Sequence, residues 1–124
     1  MASGIGYGKV ILFGEHFVVY GNGSIASGIS SHTTAELVPG NEPGFKVTDN
    51  RNTAAGYKEK YQEAMAQSIE NMNKIWNIDF DENPVHVTLA GDLYCASGVG
   101  ASAANCVAMA RAVSEHFDLN LTDE

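Results

Sequence analysis

Residues 91–104 combine glycine, alanine and serine in a stretch that runs from the end of a predicted strand into a predicted helix. Gly98 and Gly100 permit positive φ values and a close approach of the backbone, and small neighbours leave the N–H groups unobstructed. Because the amides and the dipole at a helix N-terminus favour negative charge, this order of elements predicts a phosphate-binding loop. A tight packing turn has the same composition and is the alternative at this point.

Ser102 has two candidate roles within this stretch. Its hydroxyl could cap the N-terminus of the predicted helix, as serine commonly does. It could also bind the Mg²⁺ that accompanies a nucleotide, because hydroxyl oxygens are among the ligands that this ion accepts beside phosphates. One residue can fill both roles, and the sequence leaves both open.

A second segment, residues 8–21, carries reactive side chains between apolar runs. Lys9 begins a run suited to a buried strand, and Glu15 and His16 project from a glycine corner. An ordinary strand with an exposed lysine and a glycine turn explains this pattern equally well when it is taken alone. The pattern becomes specific only together with the predicted phosphate loop.

The two segments together resemble the first and second signatures of the GHMP kinases. Residues 8–21 resemble the first, and residues 98–104, Gly-Val-Gly-Ala-Ser-Ala-Ala, resemble the Gly-Leu-Gly-Ser-Ser-Ala-Ala phosphate loop. Within the superfamily the chain is similar to the mevalonate kinase branch, because residues 17–19 are Phe-Val-Val where galactokinases carry Thr-Asp-Tyr. Two positions depart from the second signature: Tyr94 replaces its usual proline, and Ala101 replaces the first paired serine.

The resemblance implies ATP-dependent phosphorylation of a small-molecule alcohol, most specifically the 5-hydroxyl of mevalonate, in isoprenoid precursor synthesis. Lys9 would lie at the reacting hydroxyl and phosphate, while Glu15 and His16 would help to shape the substrate pocket. Ser102 would bind Mg²⁺. These roles suit phosphoryl transfer, which requires positioning and charge neutralisation. The residues that would wrap the ATP phosphates are Ala96, Ser97, Gly98, Val99, Gly100, Ala101 and Ser102.

The fold that the resemblance implies is α+β: the ribosomal-S5-domain-2-like amino-terminal lobe of a GHMP kinase, with a mixed or antiparallel sheet packed with helices. Residues 1–124 would form this ATP-binding domain. GHMP kinases continue with a second Mg²⁺ carboxylate, a catalytic aspartate and a carboxy-terminal lobe, so we expect a truncated part that is inactive alone. A non-catalytic nucleotide-binding or assembly module with the same fold is the alternative.

Periodicity predicts the elements that position these segments as five short strands and two helices. The first two strands flank the glycine corner, or form one strand with a sharp corner there, and the next two form a hairpin around the turn cluster at residues 39–44. The predicted strands are residues 9–13, 17–20, 33–38, 45–47 and 85–89, and the predicted helices are residues 57–76 and 102–117.

The composition of the 124-residue chain excludes several classes of protein. Apolar residues make up 44% and charged residues 18%, which excludes a disordered chain, and one domain is expected for this length. The net charge of −8 repels phosphate backbones and anionic membranes, which argues against nucleic-acid and membrane binding. The partners that the resemblance implies are the small-molecule alcohol and ATP.

The amino terminus and the cysteines bear on the compartment. Residues 1–6 lack the basic and long apolar regions of a secretory signal, so a cytoplasmic location is expected. Cys95 and Cys106 lack a metal-binding spacing and are expected to be reduced thiols.

Association of the chain with itself is a further expectation. A domain that stops after its phosphate-loop helix would expose the sheet and apolar side chains of that helix. Such patches favour a homodimer or another oligomer. The side chains concerned are Val107, Val113 and Phe117.

Overall fold

The computed structural model describes residues 1–122, so Asp123 and Glu124 of the predicted domain 1–124 lie outside the described residues. Four strands form one mixed sheet, and a 3-10 turn lies at Phe17–Tyr20. The strands are β1 (Ala2–Phe13), β2 (Ile25–Pro39), β3 (Phe45–Asp49) and β4 (Val85–Gly91), and the helices are α1 (Tyr57–Lys60), α2 (Gln62–Trp76) and α3 (Ala101–Phe117). The predicted α+β class with a mixed sheet is confirmed.

The strand order is β1-β2-β4-β3, with antiparallel pairs except for the parallel β3–β4 pair. The predicted hairpin of residues 33–38 and 45–47 is therefore wrong, because β4 lies between these two segments. The side chains of Val85, Val87 and Leu89 on β4 are almost completely buried, as expected of a central strand. The burial of these three side chains favours an arrangement with β4 at the centre over a hairpin in which β2 and β3 pair directly.

Residues 17–20 form the 3-10 turn and not the predicted strand. Gly14 and Gly21 flank it with φ values of 85° and 86°. The Val18 amide donates to the Gly14 carbonyl at 3.0 Å, which closes the turn locally. The β-propensity of Phe-Val-Val-Tyr is overridden because no neighbouring strand pairs with this segment, and all four side chains are exposed.

The two predicted helices are confirmed with modified boundaries. The first is interrupted at Tyr61, whose φ of −102° and ψ of 8° separate α1 from α2. The second begins at Ala101, one residue earlier than predicted, and ends at Phe117. Within residues 1–122, no helix is long and apolar enough to cross a membrane.

A row of glycines on β1 lets helix α3 lie directly against the strand. Every second residue of β1 from Ala2 to Gly8 faces the buried side of the sheet. A Cβ atom on Gly6 would lie 1.9 Å from the Ala104 carbonyl oxygen, and one on Gly4 would lie 2.1 Å from that of Ala108. Backbone therefore packs on backbone, and this contact fixes the N-terminus of α3 beside the middle of β1.

The main core forms between the buried face of the sheet, α3 and one side of α2. Val113 is fully buried in it, so its predicted exposure is wrong, whereas Val107 is exposed and Phe117 is partly buried. Val113 is covered because α3 lies deep against β1 and β2. A second, smaller cluster around Leu93 and Cys95 supports the segment that leads into α3.

Candidate functional site

The predicted phosphate loop lies at the N-terminus of α3 with its backbone open to solvent. Gly98 and Gly100 both have a φ of 75°, and Ala96 has a φ of 71°, which is strained for a residue with a Cβ atom. A Cβ on Gly98 would meet no heavy atom within 4 Å. Within residues 1–122, the N–H groups of residues 98–102 donate no backbone hydrogen bond, and free amides at a helix N-terminus bind anions.

The two serines of the loop differ in their roles. The Ser97 hydroxyl donates to the Tyr94 carbonyl at 2.6 Å and so stabilises the loop internally. The N-cap position of α3 belongs to Gly100, without a side-chain capping bond, so the predicted capping role of Ser102 is wrong. Ser102 lies within the first helical turn because the helix starts one residue earlier than predicted, and its side chain is exposed. Its predicted role as a Mg²⁺ ligand stays a prediction.

Lys9 is brought directly to this loop. Its backbone N–H donates to the Val99 carbonyl at 2.9 Å. Its side chain lies over Gly100, where an added Cβ would come within 3.0 Å of the lysine Cγ and 3.3 Å of its Cε. Any side chain at position 100 would therefore displace the lysine. The glycine row on β1 and the glycine of the cap together place a cation at the N-terminus of α3.

Glu15 and His16 lie beyond the end of β1, at the start of the 3-10 turn, and both are exposed. Within residues 1–122 no hydrogen bond or ion pair joins either side chain to Lys9 or to the phosphate loop. The structure thus unites Lys9 with the loop residues, and it leaves Glu15 and His16 on a projecting corner. Their predicted role in substrate binding stays a prediction.

A cavity of about 460 Å³ adjoins the loop and was missed by the sequence reasoning. The rings of Tyr57 and Tyr61 lie 4.5 Å apart at its side, and the Lys60 Nζ lies 5.5 Å from the centre of the Tyr61 ring. Periodicity assigned both tyrosines to the buried helix face, whereas Tyr61 is 40% exposed. The sequence signal for this cavity is the run of small residues directly before the helix, Ala54, Ala55 and Gly56. The lining residues are Ala54, Ala55, Gly56, Tyr57, Lys60, Tyr61, Ala96 and Gly98.

The ion pair between the buried Arg51 and the largely buried Asp49 lies beside Asn52, which is hydrogen-bonded to Cys95 directly before the loop. The Arg51 guanidinium donates from Nε to Asp49 Oδ1 at 2.9 Å and from Nη2 to Asp49 Oδ2 at 2.7 Å. Burial acts to raise the pKa of Asp49, but hydrogen bonds from Arg51 and the charges of Arg51 and Lys58 outweigh it and hold that pKa below its ordinary value. Asp49 is therefore ionised at neutral pH.

Both cysteines are free thiols, as predicted. Cys95 is fully buried directly before the loop, and burial raises the pKa of its thiol. A buried thiol of raised pKa is unreactive, because the thiolate is the nucleophilic form. The Cys95 amide donates to the Asn52 carbonyl at 2.9 Å, which links the loop to the segment that carries Arg51.

The chain resembles kinases by sequence and by fold. Residues 60–124 match the family described as GHMP kinases N terminal domain. The mevalonate kinases of Thermococcus sibiricus and Pyrococcus furiosus are each 32% identical to this chain over 94% of its length. The chain spans only 39% of the length of either relative.

Solved structures give the same result for the fold. The structure of L. major mevalonate kinase in complex with R-mevalonate matches 99% of this chain with a TM-score of 0.88 and 41% identity, and the chain covers 38% of it. The Methanococcus jannaschii mevalonate kinase matches with a TM-score of 0.79 at 24% identity, which supports the fold alone. Because the family match at residues 60–124 spans just over half of the sequence, the chain belongs to the GHMP kinase family.

Proposed function

We propose that this chain is the amino-terminal, ATP-binding domain of a kinase that phosphorylates the 5-hydroxyl of mevalonate. The observation that carries the proposal is the contact of the Lys9 side chain with Gly100 at the N-terminus of α3. The mevalonate kinases matched above support the substrate, and the L. major structure was solved with R-mevalonate. Because the chain spans 39% of these relatives, the rest of the active site would come from further parts of the parent protein.

ATP would bind with its phosphates on residues 96–102 and its base in the adjoining cavity. The loop provides backbone N–H donors and the positive end of the α3 dipole, which together offset phosphate charge despite the acidic net charge of the chain. The cavity has about 460 Å³ and an exposed tyrosine ring on which a base can stack. The proposed nucleotide site is therefore continuous from base to γ-phosphate.

The residues present fit Mg²⁺ in part. The exposed Ser102 hydroxyl on the first turn of α3 suits a single ligand, and Mg²⁺ usually completes its shell with phosphate oxygens, carboxylates and water. Within residues 1–122 no three His, Cys, Asp or Glu side chains lie together where they could hold a metal. Ser102 would thus hold the ion as one ligand among several, and the bound ion would offset phosphate charge.

Lys9 would act at the reacting centre. Transfer forms a bond between the mevalonate oxygen and the γ-phosphorus of ATP, breaks the bond from that phosphorus to the bridging oxygen, and releases ADP and the hydroxyl proton. An ammonium group beside both oxygens stabilises the charge that develops on them. Glu15 and His16, on the corner beyond β1, would contact the rest of the alcohol substrate.

The test is a steady-state kinase assay on the complete parent protein with ATP and mevalonate. Lys9→Met should lower kcat by at least ~100-fold, in the range for loss of a charge-stabilising group. Lys74→Met is the matched control, because Lys74 is exposed on α2 and its ion pair is with Glu70, four residues earlier on the same helix. Its activity should equal that of the wild type, and circular dichroism should show that both variants fold.

The alternative is a non-catalytic nucleotide-binding or assembly module with the same fold. It would bind ATP without phosphorylating any alcohol, and the isolated 124-residue chain is proposed to behave in this way. If the parent protein phosphorylates none of the alcohol substrates of the GHMP kinases, the catalytic proposal is refuted and the non-catalytic module remains. Equal activity of Lys9→Met and wild type would refute the role of Lys9 specifically.

A further inference from the structure

Three buried side-chain polar atoms within residues 1–122 have no hydrogen-bond partner: Thr33 Oγ1, Arg51 Nη1 and Asn105 Oδ1. Such atoms are rare in folded proteins, because an unpaired buried donor or acceptor keeps the full cost of leaving water. Arg51 and Asn105 are 5% and 6% exposed, and both line one small cavity between α2 and α3. The unpaired atoms are a donor and an acceptor, so one molecule in the cavity could satisfy both.

The cavity is sized for water. Its volume is about 40 Å³, and a buried water needs ~10–15 Å³ on the same measure together with two to four polar partners. The hydroxyls of Ser68 and Ser102 also belong to residues that line it. A nucleotide or a sugar is far too large for this volume, which leaves water or a small inorganic ion.

The electrostatics favour water over an anion. Asp49 already neutralises the Arg51 guanidinium through two hydrogen bonds, so the cavity offers little net positive charge. A simple anion such as chloride can accept from Arg51 Nη1, but it has no proton to donate to Asn105 Oδ1. Water accepts from the first atom and donates to the second.

The same arginine segment holds both ends of the phosphate loop. Before the loop, the Cys95 amide donates to the Asn52 carbonyl at 2.9 Å, and Thr53 forms a parallel bridge with Cys95. After the loop, the Arg51 side chain shares the small cavity with Ser102 and Asn105 on the first turns of α3. The segment that carries Arg51 therefore contacts the start of the loop directly and faces its end across the cavity.

We propose that a buried water bridges Arg51 Nη1 and Asn105 Oδ1, and that this bridge clamps the phosphate loop in its binding conformation. Arg51 and Asn105 are then positioning residues, because neither lies among the loop residues that would contact phosphate. The consequence for ATP rests on the proposed function, whereas the water and the clamp do not.

The first test is a high-resolution crystal structure of the protein. A water peak within hydrogen-bond distance of both Arg51 Nη1 and Asn105 Oδ1 is expected. An empty cavity, or a direct hydrogen bond between the two side chains, would overturn the proposal.

The second test measures hydrogen exchange of the Cys95 and Ala104 amides, which donate backbone hydrogen bonds on either side of the loop, without nucleotide, in three variants. Asn105→Leu removes the acceptor at similar volume and should accelerate exchange of these amides by about two- to tenfold, the range that one net hydrogen bond contributes. Asn105→Ser restores a hydroxyl to the cavity and should recover slower exchange. Asn73→Leu, at an exposed position of α2, is the matched control and should exchange like the wild type.

ATP titration of the same proteins separates this inference from the proposed function. Asn105→Leu should weaken ATP binding by a similar factor, with rescue by Asn105→Ser. If hydrogen exchange accelerates in Asn105→Leu but the wild type binds no ATP, the clamp is supported and the proposed function is refuted. If exchange is unchanged in Asn105→Leu, the clamp is refuted whatever the affinity for ATP.

Discussion

Replacement of Gly6 by alanine tests how closely α3 packs on β1. The added Cβ would lie 1.9 Å from the Ala104 carbonyl oxygen and 2.7 Å from the Ala104 carbonyl carbon, whereas real Cβ atoms almost never approach below 3.0 Å. Because both neighbours are backbone atoms, rotation of a side chain cannot relieve the clash. The helix or the strand must move by about 1.5 Å or more to reach ordinary contact at 3.4 Å.

The cost follows from this displacement. Overpacking of a well-packed core costs ~1–3 kcal/mol, and a clash between two backbones belongs at the upper end. The lower entropy of the unfolded alanine chain offsets roughly 0.4–1 kcal/mol of this. We therefore expect Gly6→Ala to lower the free energy of unfolding by about 2 kcal/mol and Tm by roughly 6–10 °C for a domain of this size.

The assay is thermal unfolding followed by circular dichroism, with Gly28→Ala as the matched control. Gly28 also lies in a strand, but a Cβ there would meet no heavy atom within 4 Å. Its replacement should leave Tm unchanged or raise it slightly. Equal Tm values for the two variants would refute the argument that the glycine row sets the position of α3.

Two further predictions concern the ion pair and association. Asp49→Asn should lower the free energy of unfolding by about 3–5 kcal/mol at pH 7, because the Arg51 guanidinium stays buried without its charge partner. The pKa of Asp49 is lower in the folded than in the unfolded state, so its contribution to the free energy of unfolding is complete above the unfolded pKa of ~3.9 and is lost as the pH falls through the folded pKa. Urea titrations should therefore show the difference in the free energy of unfolding between Asp49→Asn and wild type closing at acid pH. A difference independent of pH would contradict this role of Asp49. The isolated chain should form dimers or larger species in size-exclusion chromatography with light scattering, because Phe13 and Tyr20 are 71% and 80% exposed near the end of β1; a monomer at all concentrations would contradict this.

The phosphate loop and its helix were predictable because their signals are local. Glycine permits the left-handed backbone at positions 98 and 100, and the alanine-rich run that follows favours helix irrespective of its partners. Helix α3 accordingly starts within one residue of its predicted start. The proximity of Lys9 to the loop came from the resemblance to GHMP kinases, since residues about ninety positions apart show no local signal of contact.

The strand order could not be read from local pattern. The alternation in β2 and β3 predicts two strands, but it carries no information on whether β4 inserts between them. The 3-10 turn at Phe17–Tyr20 has the composition of a strand, and only the lack of a pairing partner decides against that structure.

The parts of the candidate site that the sequence does not predict also depend on contacts between distant segments. Arg51 lies in an irregular segment without periodicity. Its ion-pair partner Asp49 lies on a strand, and Asn105, which lines the same cavity, lies on a helix more than fifty residues away. Tyr61 has the spacing of a buried helix face, and it lines the cavity because the helix is interrupted there. Both features depend on packing between distant segments.

The glycine row on β1 also bears on the time course of folding. Gly6 is synthesised about a hundred residues before Ala104, whose backbone covers it. At ~5–20 residues per second, the strand waits roughly 5–20 s for its helix on the ribosome. Contacts of such long sequence separation also slow folding, because a large loop must close before they form. Strand β1 is thus completed by a helix that is synthesised about a hundred residues later, and until then the glycine face of the strand is uncovered.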